Sequence, residues 1–141
     1  MATADTPDLI RRLGDPACYD HAAGPVQVIE THISWVLLTG NFAYKIKKPL
    51  DLGFLDFSSL DKRLHACREE VRLNSRLAPG VYRGLMTLQW QDGRLVLRPE
   101  AQARGAVPTL EWLVWMRRLP RARIHVHEAD HAAPPDKQRL Y

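Results

Sequence analysis

Short runs of alternating apolar and polar residues predict two β-hairpins. The segments WVLLTG and NFAYKIKK flank Gly40-Asn41, which suits a tight two-residue turn, and Pro49 ends the second of these strands. The segments LMTLQW and RLVLRP flank Gln91-Asp92-Gly93, which is another good turn signal. Two further runs predict strands outside the hairpins: VQVIETHIS before the first, and the largely apolar TLEWLVWMRRLP after the second.

Between the hairpins the pattern changes to the period of a helix. Ser58-Ser59-Leu60-Asp61 is typical of a capping box, so we expect a helix from about Leu60 to Ala78, ended by Pro79-Gly80. The apolar residues of this segment recur at helical spacing and form one stripe: Leu60, Leu64, Cys67, Val71 and Ala78.

These elements predict an α+β domain in which an antiparallel sheet of about five strands packs against one main helix. The composition agrees, because 45% hydrophobic and 26% charged residues are ordinary for one globular domain of 141 residues. We expect three parts: an N-terminal helix and loop (1–25, with the helix over 3–13), the main lobe (26–120) and an irregular tail (121–141).

Charge and cysteine content narrow the class of protein. A net charge of +4 permits a polyanionic partner but does not require one. The sequence shows neither the pattern of a signal peptide nor an apolar run long enough to span a membrane, so we expect a cytoplasmic protein without a membrane partner. Cys18 and Cys67 lack metal-type spacing and are expected to be reduced thiols.

The second strand of the first hairpin carries candidate chemistry. Side chains alternate along a strand, so Ala43, Lys45 and Lys47 share one face. A small residue lets an adenine ring lie against a sheet, and a lysine two residues later reaches the phosphates from the same face. Ala43 and Lys45 have this spacing and are candidate nucleotide-binding residues. The alternative is an ordinary solvent-exposed strand face.

The predicted helix offers two carboxylates, Glu69 and Glu70, and helical geometry separates them. At about 100° per residue, Glu70 falls beside the apolar stripe near Cys67, whereas Glu69 points away from it. A charge at the edge of a buried stripe needs a partner. We therefore predict that Glu70 pairs with Lys45 and that Glu69 is solvated. The alternative is a helix surface on which both carboxylates are solvated.

The turn before the first hairpin is the expected phosphate loop. It reads Thr31-His32-Ile33-Ser34 and contains no glycine, the residue that normally eases approach of the backbone to a phosphate. Backbone amides can still bind an anion at such a turn. The hydroxyl groups of Thr31 and Ser34 are further candidate donors.

Longer stretches resemble a known family. IETHISWVLLTGNFAYKIKKPLDLGFLDFSSL, then CREEVRLNSRLAPGVY and WMRRLP, are similar to bacterial aminoglycoside phosphotransferase-like proteins, described as bifunctional phosphotransferase/ATP-binding proteins. The resemblance covers roughly residues 7–120. It implies a protein-kinase-like small lobe that binds ATP with magnesium, with Lys45 and Glu70 as its ion pair. It also implies that Glu111–Met116 leads to the hinge, where Met116 would lie near the adenine.

The sequence departs from that family after Pro120. A kinase-like enzyme needs a catalytic H-x-D, a following asparagine and a magnesium-binding aspartate, yet the asparagines here are Asn41 and Asn74, both upstream of the expected hinge. No phosphate-binding G-x-x-x-x-G-K-[ST] is present either. We therefore expect a truncated or frameshifted phosphotransferase-like protein that keeps part of the nucleotide-binding face but carries no catalytic residues and no magnesium ligands.

The alternative function is a non-catalytic interaction module, either basic and nucleic-acid-binding or paired with a large lobe supplied by another chain. A basic run near the end of the chain suggests nucleic-acid binding: Arg117, Arg118, Arg121 and Arg123. Arginines that follow a strand are, however, more often solvated. His125, His127 and His131 are spaced so that they could bind zinc. A histidine-containing tail without a metal explains them better, because no second ligand cluster is evident.

Overall fold

A computed structural model describes residues 6–19, 21 and 23–118 of the chain. This part contains two α-helices, six strands and two short 3₁₀ turns at Pro16–Cys18 and Glu100–Gln102. The helices and strands are α1 (Thr6–Arg12), β1 (Gln27–Glu30), β2 (Ser34–Leu38), β3 (Phe42–Lys47), α2 (Leu60–Leu77), β4 (Tyr82–Gln91), β5 (Arg94–Pro99) and β6 (Glu111–Arg117).

The six strands form one open antiparallel sheet in the order β1-β2-β3-β6-β4-β5. The predicted α+β class is therefore confirmed, with one strand more than the five expected. The last strand, β6, inserts between β3 and β4 and hydrogen-bonds to both. This placement brings the end of the described chain into the centre of the sheet, beside the strand that carries Lys45.

Each face of the sheet buries its own apolar cluster. On one face, Leu9, Ile10 and Leu13 from α1 and the residues after it pack with Tyr44 and Leu113 of the sheet. On the other face, α2 packs through Cys67 against the sheet residues Val36, Ala43, Leu85, Val114 and Met116. The N-terminal helix is thus part of the folded core, and the residues of α2 face the side of β3 that presents Lys45.

The two hairpin turns form where the sequence predicts them. The backbone N–H of Thr39 donates to the Phe42 carbonyl at 2.9 Å, which closes the turn around Gly40-Asn41. In the other hairpin, Gln91 pairs with Arg94, so Asp92-Gly93 is the two-residue connection. Both of its residues have positive φ, 53° and 79°. That backbone matches the twist of a hairpin and is adopted readily by an Asp-Gly pair.

Helix α2 ends one residue before its predicted end, and its cap differs from the expected one. The cap is Ser59, whose hydroxyl oxygen accepts a hydrogen bond from the Lys62 backbone N–H at 3.1 Å. The helix begins at Leu60, as predicted, but the predicted capping box from Ser58 to Asp61 is wrong, because Ser59 is the cap and the third helical residue is Lys62. Ser58 instead donates its backbone N–H to the Asp56 carboxylate.

The tail from 119 onward, with His125, His127, His131, Arg121 and Arg123, lies outside the described residues. Within the described part, no helix is long and apolar enough to cross a membrane. Cys18 and Cys67 are free thiols.

Replacing Ser59 by alanine should lower the free energy of unfolding by about 1 kcal/mol, because the Lys62 N–H loses its acceptor at the helix start. The neighbouring Ser58→Ala change is the matched control and should cost less than roughly 0.5 kcal/mol. Urea unfolding followed by circular dichroism measures both values. Equal losses in the two variants would contradict the assignment of the cap to Ser59.

Candidate functional site

The candidate site lies where β3 meets α2. Strand β3 is bordered by β2 on one side and β6 on the other, so its backbone is paired along its length. Side chains alternate along β3, so Ala43, Lys45 and Lys47 face α2, and all three are buried. Lys45 exposes 2% of its surface and Lys47 6%. Two lysines buried in one small domain are unusual, because an ammonium group loses much of its hydration when it leaves water.

Both lysines bind the same carboxylate. The Nζ of Lys45 donates to Oε2 of Glu70 at 2.9 Å, and the Nζ of Lys47 donates to Oε1 at 2.7 Å. The Glu70 side chain is 9% exposed. The predicted contact between Lys45 and Glu70 is therefore present. Glu69, as expected, points toward solvent: its side chain is 39% exposed and pairs with Arg72 on the same helix.

Lys47 is a member of this cluster that sequence reasoning missed. Besides Glu70, its ammonium group lies 5.2 Å from the centre of the Phe57 ring, a cation–π distance. The available signal was the alternation of β3, which places Lys47 on the same face as Lys45. That signal was insufficient, because the strand pattern does not reveal how deeply α2 covers the end of the strand.

The charges of the cluster influence one another. Burial pushes the pKa of Glu70 upward, but the charges of Lys45 and Lys47 and their hydrogen bonds outweigh this and hold the pKa below its ordinary value. Burial lowers the pKa of Lys45, and the nearby Lys47 charge lowers it further, against the opposing attraction of Glu70. The carboxylate therefore stays ionised and serves as the shared anionic partner of the two lysines.

Ala43 and Met116 lie side by side next to the lysines. They are direct partners in the register between β3 and β6, and both belong to the apolar cluster under α2. Val114 of β6 is the register partner of Lys45. Ala43, Val114 and Met116 therefore lie beside Lys45 within the apolar cluster that α2 covers, where they are 8%, 0% and 4% exposed.

The hydroxyl of Thr31 is used within its own turn. It donates to the Ser34 carbonyl at 3.2 Å and accepts from the Ser34 N–H at 3.0 Å, so the turn is tied by its own polar groups. Ser34 is 4% exposed and lies opposite Lys47 in the register between β2 and β3. Of these two candidate phosphate donors, Ser34 is the one placed beside the lysine cluster.

A second buried ion pair fixes the start of α2. Nε of Arg63 donates to Glu111 of β6 at 3.1 Å, and another guanidinium N–H donates to the Phe57 carbonyl at 2.8 Å. Burial raises the pKa of Glu111, and the Arg63 charge only partly offsets the effect. These contacts hold the first turns of α2 against the sheet, which keeps Glu70, two turns further along, in reach of the lysines.

On the α1 side of the molecule, a cavity of about 280 Å³ lies between the first helix and the second hairpin. Its lining includes Arg11, Arg12, Cys18, Trp90 and Arg94. Arg11 and Arg12 both pair with Asp8, and Arg12 also lies over the Trp90 ring. None of its lining residues belongs to β3 or to the predicted site.

The described residues also include possible metal ligands, the thiol of Cys67 and part of the predicted basic run. Within residues 6–19, 21 and 23–118, no three histidine, cysteine, aspartate or glutamate side chains are grouped to bind a metal. Burial raises the pKa of the Cys67 thiol to about 12, so this cysteine is an unreactive core residue. Arg118, from the predicted basic run, donates to the Thr39 carbonyl at 2.8 Å and braces the first hairpin turn.

Comparisons with known proteins give a partial match. No protein-family model matches the chain, and no solved structure matches it. Uncharacterized proteins of Mycobacterium bovis and of Mycobacterium tuberculosis are each 43% identical to it over 68 residues. That segment is 48% of this chain and 14% of the length of those relatives. The chain is therefore similar to a small part of much longer bacterial proteins.

Removing the shared carboxylate should destabilise the fold strongly. In Glu70→Ala, two buried ammonium groups lose their common partner, and we expect a loss of about 3–5 kcal/mol in the free energy of unfolding. Glu69→Ala is the matched control and should change it by less than roughly 0.5 kcal/mol, because this residue forms an exposed pair. Chemical denaturation of both variants tests this. Similar small losses in both would contradict the buried cluster.

The same carboxylate should make stability depend on pH. The pKa of Glu70 is lower in the folded chain than its ordinary value of 4.5, so its contribution is complete above pH 4.5 and is lost as pH falls below that value. The stability difference between the unmodified chain and Glu70→Gln should therefore shrink on acidification, as measured by denaturation between pH 7 and pH 3. A constant difference over this range would contradict the shift.

Proposed function

We propose that this chain is the nucleotide-binding half of a kinase-like phosphotransferase and that it binds ATP on the α2 side of its sheet. The observation that carries the proposal is the buried contact of Lys45 with Glu70, beside the apolar pair Ala43 and Met116. In kinase-like proteins a strand lysine of this kind binds nucleotide phosphates, and a carboxylate from the next helix orients it.

The order of the elements supports this proposal. The lysine strand β3 is followed by α2, which carries Glu70 and packs against β4 and β6. The sheet then returns through β6, which pairs with the lysine strand itself. A small lobe of the kinase type needs this sequence of parts: a hairpin that ends in the lysine strand, a helix with the carboxylate, and a last strand that leads from the sheet to the hinge.

The burial and the side-chain types of the site residues indicate how ATP would bind to this chain. Lys45 is 2% exposed, so a phosphate reaches its Nζ when the long, flexible side chain turns toward the ligand. The adenine would contact Ala43 and Met116, which are 8% and 4% exposed. Magnesium would arrive with the nucleotide, because the sequence pattern supplies no catalytic-loop aspartate or asparagine to hold it. We therefore propose binding of ATP without phosphoryl transfer by this chain alone.

A protein partner is the second candidate function, and one observation favours it. Leu73 and Leu77 of α2 are 49% and 83% exposed, although they follow Glu70 along the same flank of the helix. Exposed leucines in succession along a helix flank suit a contact with another protein surface. A large lobe supplied by another chain would fit this description, and a basic nucleic-acid-binding role draws no comparable support from the described residues.

Titration of the chain with ATP, with and without magnesium, tests the proposal. We expect saturable binding that Lys45→Ala weakens at least about tenfold, a loss of roughly 1.4 kcal/mol, because the phosphate loses its ammonium partner. The variant should still fold, since Lys47 continues to pair with Glu70. Isothermal titration calorimetry measures the affinities.

Lys62→Ala is the control for this titration. Lys62 lies on α2 with 53% of its side chain exposed and pairs with Asp56, so its loss should leave ATP affinity unchanged. Absence of ATP binding by the unmodified chain, or an equal effect of both substitutions, would overturn the proposal and favour the interaction module.

A further inference from the structure

The two oxygens of Glu70 are divided between two lysines. Oε2 accepts from Lys45 and Oε1 accepts from Lys47, and the shorter of the two contacts, 2.7 Å, is made by Lys47. Lys47 is itself held in place: its side chain is 8% exposed and its ammonium group lies against the Phe57 ring. The carboxylate would therefore keep one ammonium partner if the other lysine turned away.

This division bears on how a phosphate can bind. If Lys45 turned from Glu70 toward a phosphate in a site with a single lysine, it would leave a buried carboxylate unpaired, which costs several kcal/mol. Here Lys47 remains on Glu70 and reduces that cost. Because buried Glu70 needs an ionic partner at all times, Lys47 lowers the free-energy cost of moving Lys45 away from it.

We propose that Lys47 is a positioning residue for the nucleotide site: it holds Glu70 oriented and charge-balanced while Lys45 binds the phosphate group. This inference rests on the proposed function and adds to it a residue that acts through Glu70 without touching the ligand. Lys47 and Lys45 thus share one face of β3 but have different roles. One is the ligand-binding cation, and the other is the permanent partner of the carboxylate.

ATP titration of Lys47→Met tests the assignment. In this variant Lys45 is the remaining lysine on Glu70, so phosphate and carboxylate compete for one ammonium group, and the affinity for ATP should fall about tenfold. Lys47→Arg should restore affinity to within about threefold of the unmodified chain, because a guanidinium also pairs with a carboxylate. Lys47→Gln, which keeps an N–H donor but no charge, should bind as weakly as Lys47→Met and serves if the methionine variant does not fold.

Two controls separate positioning from other roles. Lys48→Met, one residue further on, should leave ATP affinity unchanged, because Lys48 pairs with Glu30 and lies over Trp35. In a Glu70→Gln background, Lys47→Met should cause no further loss of affinity, since its effect passes through the carboxylate. An equal loss in both backgrounds would show that Lys47 contacts the phosphate directly and would overturn the positioning role.

The remaining outcomes distinguish this inference from the proposed function. If Lys45→Ala abolishes ATP binding while Lys47→Met and Lys47→Gln bind as the unmodified chain does, the site stands and the role of Lys47 is wrong. If the unmodified chain binds no ATP, the proposed function fails and this inference fails with it.

Discussion

A buried carboxylate must keep an ionic partner, and in this chain that requirement fixes how the main helix lies on the sheet. Glu70 is held by two lysines of β3, so α2 must lie where both Nζ atoms reach its side chain. Arg63 and Glu111 impose the same requirement near the start of the helix. Buried ion pairs of this kind add little net stability, but losing one partner is costly, so they define one arrangement of helix and strand.

In the proposed function, the same requirement would link the fold to ligand binding. A lysine that is the sole partner of a buried carboxylate is poorly available to a ligand. A carboxylate that is shared by two lysines keeps one partner when the other lysine turns away. Ala43 and Met116 are register partners beside Lys45 and would contact the base of a bound nucleotide. In the proposed function, the cluster that positions α2 would also bind the phosphate, and its three charged residues lie in β3 and α2.

Features set by neighbours in sequence were the ones that the sequence predicted well. Asp92-Gly93 and Gly40-Asn41 form their turns because local backbone preferences decide them, and the helical face of Glu70 follows from angular spacing alone. The cap is Ser59 and not Ser58. Two adjacent serines offer the same chemistry, so the local pattern alone does not decide between them. Insertion of β6 between β3 and β4 and the burial of Lys47 depend on pairings between distant segments, which no local pattern encodes.

Two-dimensional ¹H–¹⁵N NMR of the chain titrated with ATP and magnesium locates a bound nucleotide on the fold, because each backbone amide reports its own surroundings. We expect the largest shifts in β3 from Ala43 to Lys47, at Met116 in β6 and around Glu70 in α2. Shifts confined to the cavity near Trp90 and Arg94, or no shifts at saturating ATP, would contradict this expectation.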